Sequence, residues 1–179
     1  VVSMTQHFNR IKKVGRDFAI VQPGVFYRDF EKATLKKDLL LPSYPASREL
    51  CTVGGMVANN SGGELNLQYG KTEQYLNYVK MVLRDGNEYQ FAPLTRAHLA
   101  QKLQLAGLEG EIYRDLFQLI DKNYDALQKA KPQVSKNSAG YYLWNVYDRT
   151  TGIFDPTRLI VGSQGTLGLI TEINFRLIR

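Results

Sequence analysis

Two glycine turns carry the residues of this chain best suited to holding a ligand. Residues 52–63 read TVGGMVANNSGG, with four glycines, two adjacent asparagines and two hydroxyl side chains, just after a proline-rich turn. Residues 162–168 read GSQGTLG, with glycines at 162, 165 and 168. Glycine runs cost backbone entropy, so they mark tight turns or places where a ligand comes close to the main chain. Amides in such a run reach ligand oxygens at hydrogen-bond distance. On local features alone, a pair of hairpin corners accounts for both turns equally well.

Other chemistries are excluded one by one. YGKT at 69–72 imitates the end of a phosphate-binding P-loop, but Leu65 stands where that loop needs its first glycine. The G-x-x-G-x-x-G spacing of 162–168 is not the G-x-G-x-x-G dinucleotide fingerprint, which argues against a nicotinamide-binding Rossmann domain. Cys51 has no histidine beside it, and His7 and His98 lie in stretches without a partner pattern, so no nucleophile is formed. A single cysteine also excludes an internal disulfide and a Cys-rich zinc site, and no metal is expected. Asn59-Asn60-Ser61 matches a glycosylation sequon and reads as a chance match, since the chain shows no signal-peptide layout.

The elements that must position the turns can be read around them. Phe18 to Val21 is a short strand closed by Pro23 and Gly24, and Val1 and Val2 read as part of an earlier one. A helix is predicted from Val25 to Leu40, with Phe26, Phe30 and Ala33 on one face, stopped by Pro42 and Pro45. YVKMVLRDGNEYQF predicts a hairpin, because Val79, Met81 and Leu83 alternate with Lys80 and Arg84 before an Asp85-Gly86 turn. Ile112, Leu116, Leu119 and Leu127 keep helical spacing from Gly110 to Ala130, as one or two helices. Leu159 to Val161 read as a short strand before the second turn, and Ile173, Phe175 and Leu177 alternate along a final strand. The order mixes α and β without the strict alternation of a doubly wound sheet.

With 179 residues, 44% of them hydrophobic and 22% charged, the chain has the composition of a soluble globular domain. Its net charge of +6 raises nucleic acid as a partner. The basic residues are scattered and not interleaved with aromatics, so no nucleic-acid role is expected and the charge reads as solvated surface. The lone cysteine and absent leader predict a cytoplasmic setting. The start, without Met and with an apolar beginning, reads as a fragment of a longer protein.

LPSYPASRELCTVGGMVANNSGG, followed in order by YGKTEQYL, KNSAGYYL and VGSQGTLGLITE, resembles the FAD-linked oxidases of the vanillyl-alcohol oxidase and p-cresol methylhydroxylase (PCMH) type. Within them it is most similar to the D-lactate, glycolate and D-2-hydroxyglutarate dehydrogenase branch. The resemblance implies an α+β fold, a PCMH-type FAD-binding domain that is largely the second subdomain, with an antiparallel-rich sheet and flanking helices. Residues 1–48 would be the C-terminal part of the first subdomain and residues 49–179 the second. The family's pyrophosphate loop and cap domain have no counterpart here, so the chain reads as the back half of a cofactor site.

By the same resemblance Pro42, Ser47, Thr52, Gly54, Gly55, Ala58, Asn60, Ser61 and Gly62 line FAD. Gly165, Thr166, Gly168 and Ile170 match positions that hold it from the other side. Three positions depart from the family pattern: Tyr44 for Asp, Gln68 for Arg and Gln164 for Glu. The implied activity is flavin-dependent oxidation of a D-2-hydroxy acid by hydride transfer to flavin N5. An electron acceptor then reoxidises the flavin. The catalytic base is expected outside this chain, and none is named. Tyr141 reads as facing the flavin ring or, preferentially, as core packing. Implied partners are a small 2-hydroxy acid and an electron acceptor, with any membrane association peripheral and self-association of the fragment. The alternatives are an FAD enzyme of the alkyl-dihydroxyacetone-phosphate synthase or sugar-lactone oxidase kind, and a non-catalytic flavin-fold subunit.

Overall fold

The computed structural model describes residues 2–134, 137 and 140–179. Along them run β1 (Ile11–Val14), β2 (Phe18–Val21), α1 (Tyr27–Leu35), α2 (Val53–Ala58), α3 (Asn66–Tyr69), β3 (Leu76–Val82) and β4 (Glu88–Phe91). There follow α4 (Arg96–Leu103), α5 (Gly107–Lys122), α6 (Tyr124–Ala130), β5 (Tyr147–Asp148), β6 (Ile153–Phe154), α7 (Thr157–Ile160) and β7 (Leu169–Arg176). The expected hairpin is β3–β4. Gly86 takes φ 79°, its amide donates to Leu83 O at 3.0 Å, and Leu83 N closes on Asn87 O at 3.1 Å. The Asp85 carboxylate fixes the turn by accepting from Asn87 N at 3.1 Å and from Tyr89 Oη at 2.5 Å.

This hairpin is one side of a five-stranded antiparallel sheet in the order β1-β2-β7-β3-β4. The sheet takes two strands from before residue 48 and three from after it. Strand alternation sorts its two faces. Ala19, Val21, Val79, Met81, Phe91, Ile173 and Phe175 are buried on one of them, where Phe30 of α1 meets Phe175 at 5.8 Å and Tyr113 of α5 meets Phe91 at 6.1 Å. The helices therefore cover this face. β1, one of the two edge strands, pairs with β2 through a register shift between Ile11 and Lys13.

Several expectations are corrected by local hydrogen bonding. The first helix is shorter than predicted, because Asp38 takes φ 55° and Leu39 N turns back to Thr34 O at 3.2 Å. Residues 159–161 are not a strand: Leu159 and Ile160 belong to α7. Asp155 starts that helix, with Oδ1 accepting from Thr157 N at 3.0 Å and from Thr157 Oγ1 at 2.6 Å. The helical stretch expected as one or two helices is two, α5 and α6, divided at Asn123. Val2 is 64% exposed and lies in no strand, while Val1 falls outside the described residues. Strand β1 and helix α4 were not expected.

The opposite face of the sheet carries one buried carboxylate. Glu172 is 7% exposed and accepts from Lys12 Nζ at 2.5 Å, Tyr78 Oη at 2.8 Å and Lys80 Nζ at 3.2 Å. Burial alone would raise its pKa, but these three donors outweigh burial and hold it below the usual glutamate range. Burial, then the bond to Glu172, pushes the Tyr78 phenol up to about 12. A depressed folded value means that this stabilisation is present above the unfolded carboxyl's pKa, about 4.3, and is lost as pH falls through the folded value. Both lysines are partly solvated, so Glu172→Gln is expected to cost on the order of 1–2 kcal/mol at neutral pH. Urea unfolding followed from about pH 7 down to about pH 3 should show the two proteins converging in acid. A gap that stays constant across that range would assign the loss to packing.

Candidate functional site

Helix α2 is built from the first glycine turn and is held at its start by main-chain contacts from far upstream. Thr52 is its N-cap: Oγ1 accepts from Gly55 N at 3.2 Å and the carbonyl from Met56 N at 3.0 Å. Val53 N donates to Val25 O and Gly54 N to Pro23 O, both at 2.9 Å. The two adjacent glycines therefore serve opposite ends. A Cβ on Gly54 would lie 2.4 Å from Pro23 Cβ and 2.8 Å from Pro23 O, so the close approach there is to the protein's own chain. Gly55 is exposed, and a Cβ on it would meet only Thr52 Oγ1, at 3.3 Å. Neither amide is free, which corrects the expectation that both would reach a ligand.

The end of α2 is knitted into the loop that follows. Asn60, 2% exposed and at φ 47°, donates from Nδ2 to Glu73 Oε2 at 2.8 Å and accepts from Glu73 N at 3.1 Å. Ser61 O accepts from Thr72 N at 2.9 Å and from its hydroxyl at 2.8 Å. The amides of Gly62 and Gly165 donate to no described residue.

The second glycine turn docks on this helix end. Gly162 N donates to Val57 O at 2.9 Å, and Gln164 N donates to Ala58 O at 3.0 Å. Gly162 takes φ 82°, and a Cβ there would sit 3.6 Å from Asn60 Cβ. Turns about a hundred residues apart thus form one continuous surface. This favours a built site over two unrelated hairpin corners.

The expected site residues divide around that junction. Thr52, Gly55, Ala58, Ser61 and Gly62 are exposed or half-buried on the first turn, and Gly165 and Thr166 are exposed on the second. Gly54 and Asn60 are buried, making internal contacts that hold the turns in shape. Pro42 is buried, and Ser47 is exposed in a loop where its carbonyl accepts from Leu50 N and Cys51 N. Gly168 packs against β3, where a Cβ would meet Val82 O at 2.8 Å, and Ile170 pairs with Met81 inside the sheet. Of the departures, Tyr44 is buried with its hydroxyl on Glu64 Oε1 at 2.8 Å, and burial followed by that bond raises its pKa. Gln164 takes φ 52° and Gln68 is exposed in α3. Burial raises the Cys51 thiol, which favours its neutral form.

Tyr141 overturns the core-packing expectation. It is 39% exposed, with Oη 2.6 Å from Thr166 Oγ1 on the second turn. Its neighbours Ser138 and Ala139 in the KNSAGYYL motif lie outside the described residues. No helix among the described residues is long and apolar enough to cross a membrane.

A family described as "FAD binding domain" matches residues 1–91. The chain is 28% identical over 182 residues to D-2-hydroxyglutarate dehydrogenase of Escherichia coli, covering all of this chain and 18% of that protein. It is also 28% identical over 180 residues to glycolate oxidase subunit GlcD of Bacillus subtilis, covering 99% of the chain and 27% of that protein. Among solved structures, an alkyldihydroxyacetonephosphate synthase superposes with a TM-score of 0.58 at 21% identity, over 98% of this chain and 22% of its own. That likeness shows the fold, the PCMH-type α+β arrangement. The chain spans under a third of the length of each of these proteins.

The contrast between Gly54 and Gly55 gives a paired test. Gly54→Ala drives a methyl into Pro23 and is expected to cost about 1–3 kcal/mol in urea unfolding. Gly55→Val meets no comparable obstacle, so it should leave the unfolding midpoint nearly unchanged while weakening FAD binding in a fluorescence titration. Unaltered FAD affinity in Gly55→Val would show that Gly55 serves the helix turn alone.

Proposed function

This chain belongs to the FAD-binding domain family, and from that premise we propose that it is the flavin-holding portion of an oxidoreductase acting on a D-2-hydroxy acid. The observation that carries the reading is the junction of the two glycine turns through Val57, Ala58, Gly162 and Gln164. The surface beside it suits a flavin. Gly55 is exposed and faces only the Thr52 hydroxyl, and the amides of Gly62 and Gly165 are donors without an acceptor among the described residues. Bound flavin supplies a hydride acceptor at N5. The chain's part is to bind and orient: its amides would hydrogen-bond ligand oxygens, and such donors favour the negative charge of a reduced ring. Thr52 and Asn60 keep the first turn in shape by capping α2 and anchoring its end to Glu73.

The substrate class rests on the relatives named D-2-hydroxyglutarate dehydrogenase and glycolate oxidase subunit, and the choice among 2-hydroxy acids is part of the proposal. In the same proposal, residues 1–48 close a first cofactor subdomain and residues 49–179 form the second, with one sheet shared between them. An electron acceptor completes the cycle.

The attachment of FAD is proposed to be non-covalent, since His7 precedes β1 and His98 lies in α4, both outside the two glycine turns, and Cys51 is engaged with Arg48 O at 3.9 Å. The longer protein that carries this chain is expected to be yellow and to release all of its flavin into the supernatant on acid precipitation. Anaerobic addition of D-2-hydroxyglutarate, D-lactate or glycolate should bleach the visible band. Flavin retained in the pellet overturns the non-covalent attachment. A colourless protein that takes up no added FAD overturns the whole reading.

A further inference from the structure

Two tyrosines adjacent in sequence are linked to the two glycine turns, Tyr141 directly and Tyr142 through Lys71. Tyr141 Oη lies 2.6 Å from Thr166 Oγ1 in the second turn. Tyr142 Oη donates to Asn137 O and accepts from Lys71 Nζ at 3.0 Å, while Lys71 Nζ also donates to Asn137 O. Lys71 Cγ lies 3.0 Å from the place a Cβ on Gly62 would take in the first turn. Residues 141 and 142 therefore span the junction. Lys71, from the YGKT segment, is 7% exposed and makes no ion pair among the described residues. A buried ammonium is costly unless hydrogen-bonded. Here its support is a carbonyl, a phenol and the face of the Tyr142 ring, 5.4 Å away.

Counting protons fixes the direction of the Tyr141 contact. A threonine hydroxyl carries a single hydrogen, and Thr166 donates its own to Ser163 O at 2.6 Å. The hydrogen shared with Tyr141 must then come from the phenol. Its oxygen is left with lone pairs and no proton to offer, on a side chain that is 39% exposed beside the junction. It presents an acceptor.

We propose that Tyr141 is a ligand-contacting residue whose phenol oxygen accepts a hydrogen bond from an N–H of the flavin ring, and that Lys71, acting through Tyr142, is the positioning residue that holds it there. The proposal rests on the flavin reading above. It makes the tyrosine pair a recognition element: an N–H is accepted at Tyr141, and a flavin alkylated at that nitrogen loses the contact.

The sequence holds one tryptophan, Trp144, stacked on Tyr142 at 5.3 Å and 26°, so its emission reports both the strap and the ligand. FAD and 3-methyl-FAD are titrated into the wild-type chain and into Tyr141→Phe, Lys71→Met, Thr166→Val and the double variant Lys71→Met/Tyr141→Phe, following Trp144 quenching. Tyr141→Phe should leave the unliganded emission unchanged and weaken FAD roughly three- to tenfold, while 3-methyl-FAD binds both proteins equally. Lys71→Met should move the unliganded emission to longer wavelength and weaken FAD by a similar factor, with the double variant no weaker than Lys71→Met alone. Thr166→Val, an exposed change that leaves Lys71 and the core alone, should also weaken FAD without moving the emission. Equal FAD affinity in wild type and Tyr141→Phe overturns the proposal while leaving the flavin reading intact. Effects of Lys71→Met and Tyr141→Phe that simply add remove Lys71 from it. Absence of any FAD-dependent quenching in wild type overturns the Tyr141 contact, while the flavin reading is decided separately by the colour and FAD uptake of the longer protein.

Discussion

A six-residue helix cannot satisfy its own ends, and the site depends on how α2 solves that. The last carbonyls of any helix lack intrahelical partners. In α2 those of Val57 and Ala58 are met by Gly162 and Gln164, from the other end of the chain, and not by a local cap alone. The first amides are met the same way, by Val25 and Pro23. Both ends of α2 are therefore tied to other parts of the chain by main-chain hydrogen bonds. Because such bonds are short and directional, the separation of the two turns is set by geometry that side-chain substitution barely touches.

The sheet makes that arrangement possible. β7 lies between β2 and β3 and delivers the second turn from its N-terminal end, while β2 delivers Pro23 to the start of α2. One face of the sheet is given to the helices and the core. The other can then hold Glu172 among lysines without disturbing the site. Gly54 and Gly168 allow the site's flanks to pack tightly against Pro23 and β3, which leaves Gly55, Gly62 and Gly165 as the glycines available to a ligand.

What could be read from the sequence was whatever local pattern determines. The β3–β4 hairpin was legible because alternation and an Asp-Gly turn specify it within fourteen residues. Residues 159–161 misled because a short apolar run fits strand or helix equally, and the Asp155 side chain, four residues earlier, decides. Which of Gly54 and Gly55 faces outward was hidden, since it depends on Pro23 lying beside one of them. The pairing of the two turns was invisible to periodicity and was suggested only by the order of motifs shared with the FAD-linked oxidases. Tyr141 was misjudged for a related reason: its exposure follows from where Thr166 lies, and no local pattern carries that.

The register shift in β1 has a consequence for how this molecule behaves among its copies. A regular edge strand offers a row of unpaired main-chain groups on which a second molecule can add a strand. Here the outermost strand is only four residues long, is interrupted between Ile11 and Lys13, and carries two adjacent lysines. Each of these features obstructs a foreign strand: the ladder is too short, its spacing is broken, and a second copy would bring like charges together. That margin of the sheet is guarded against edge-to-edge aggregation, which leaves β4 as the edge at which a second strand could add.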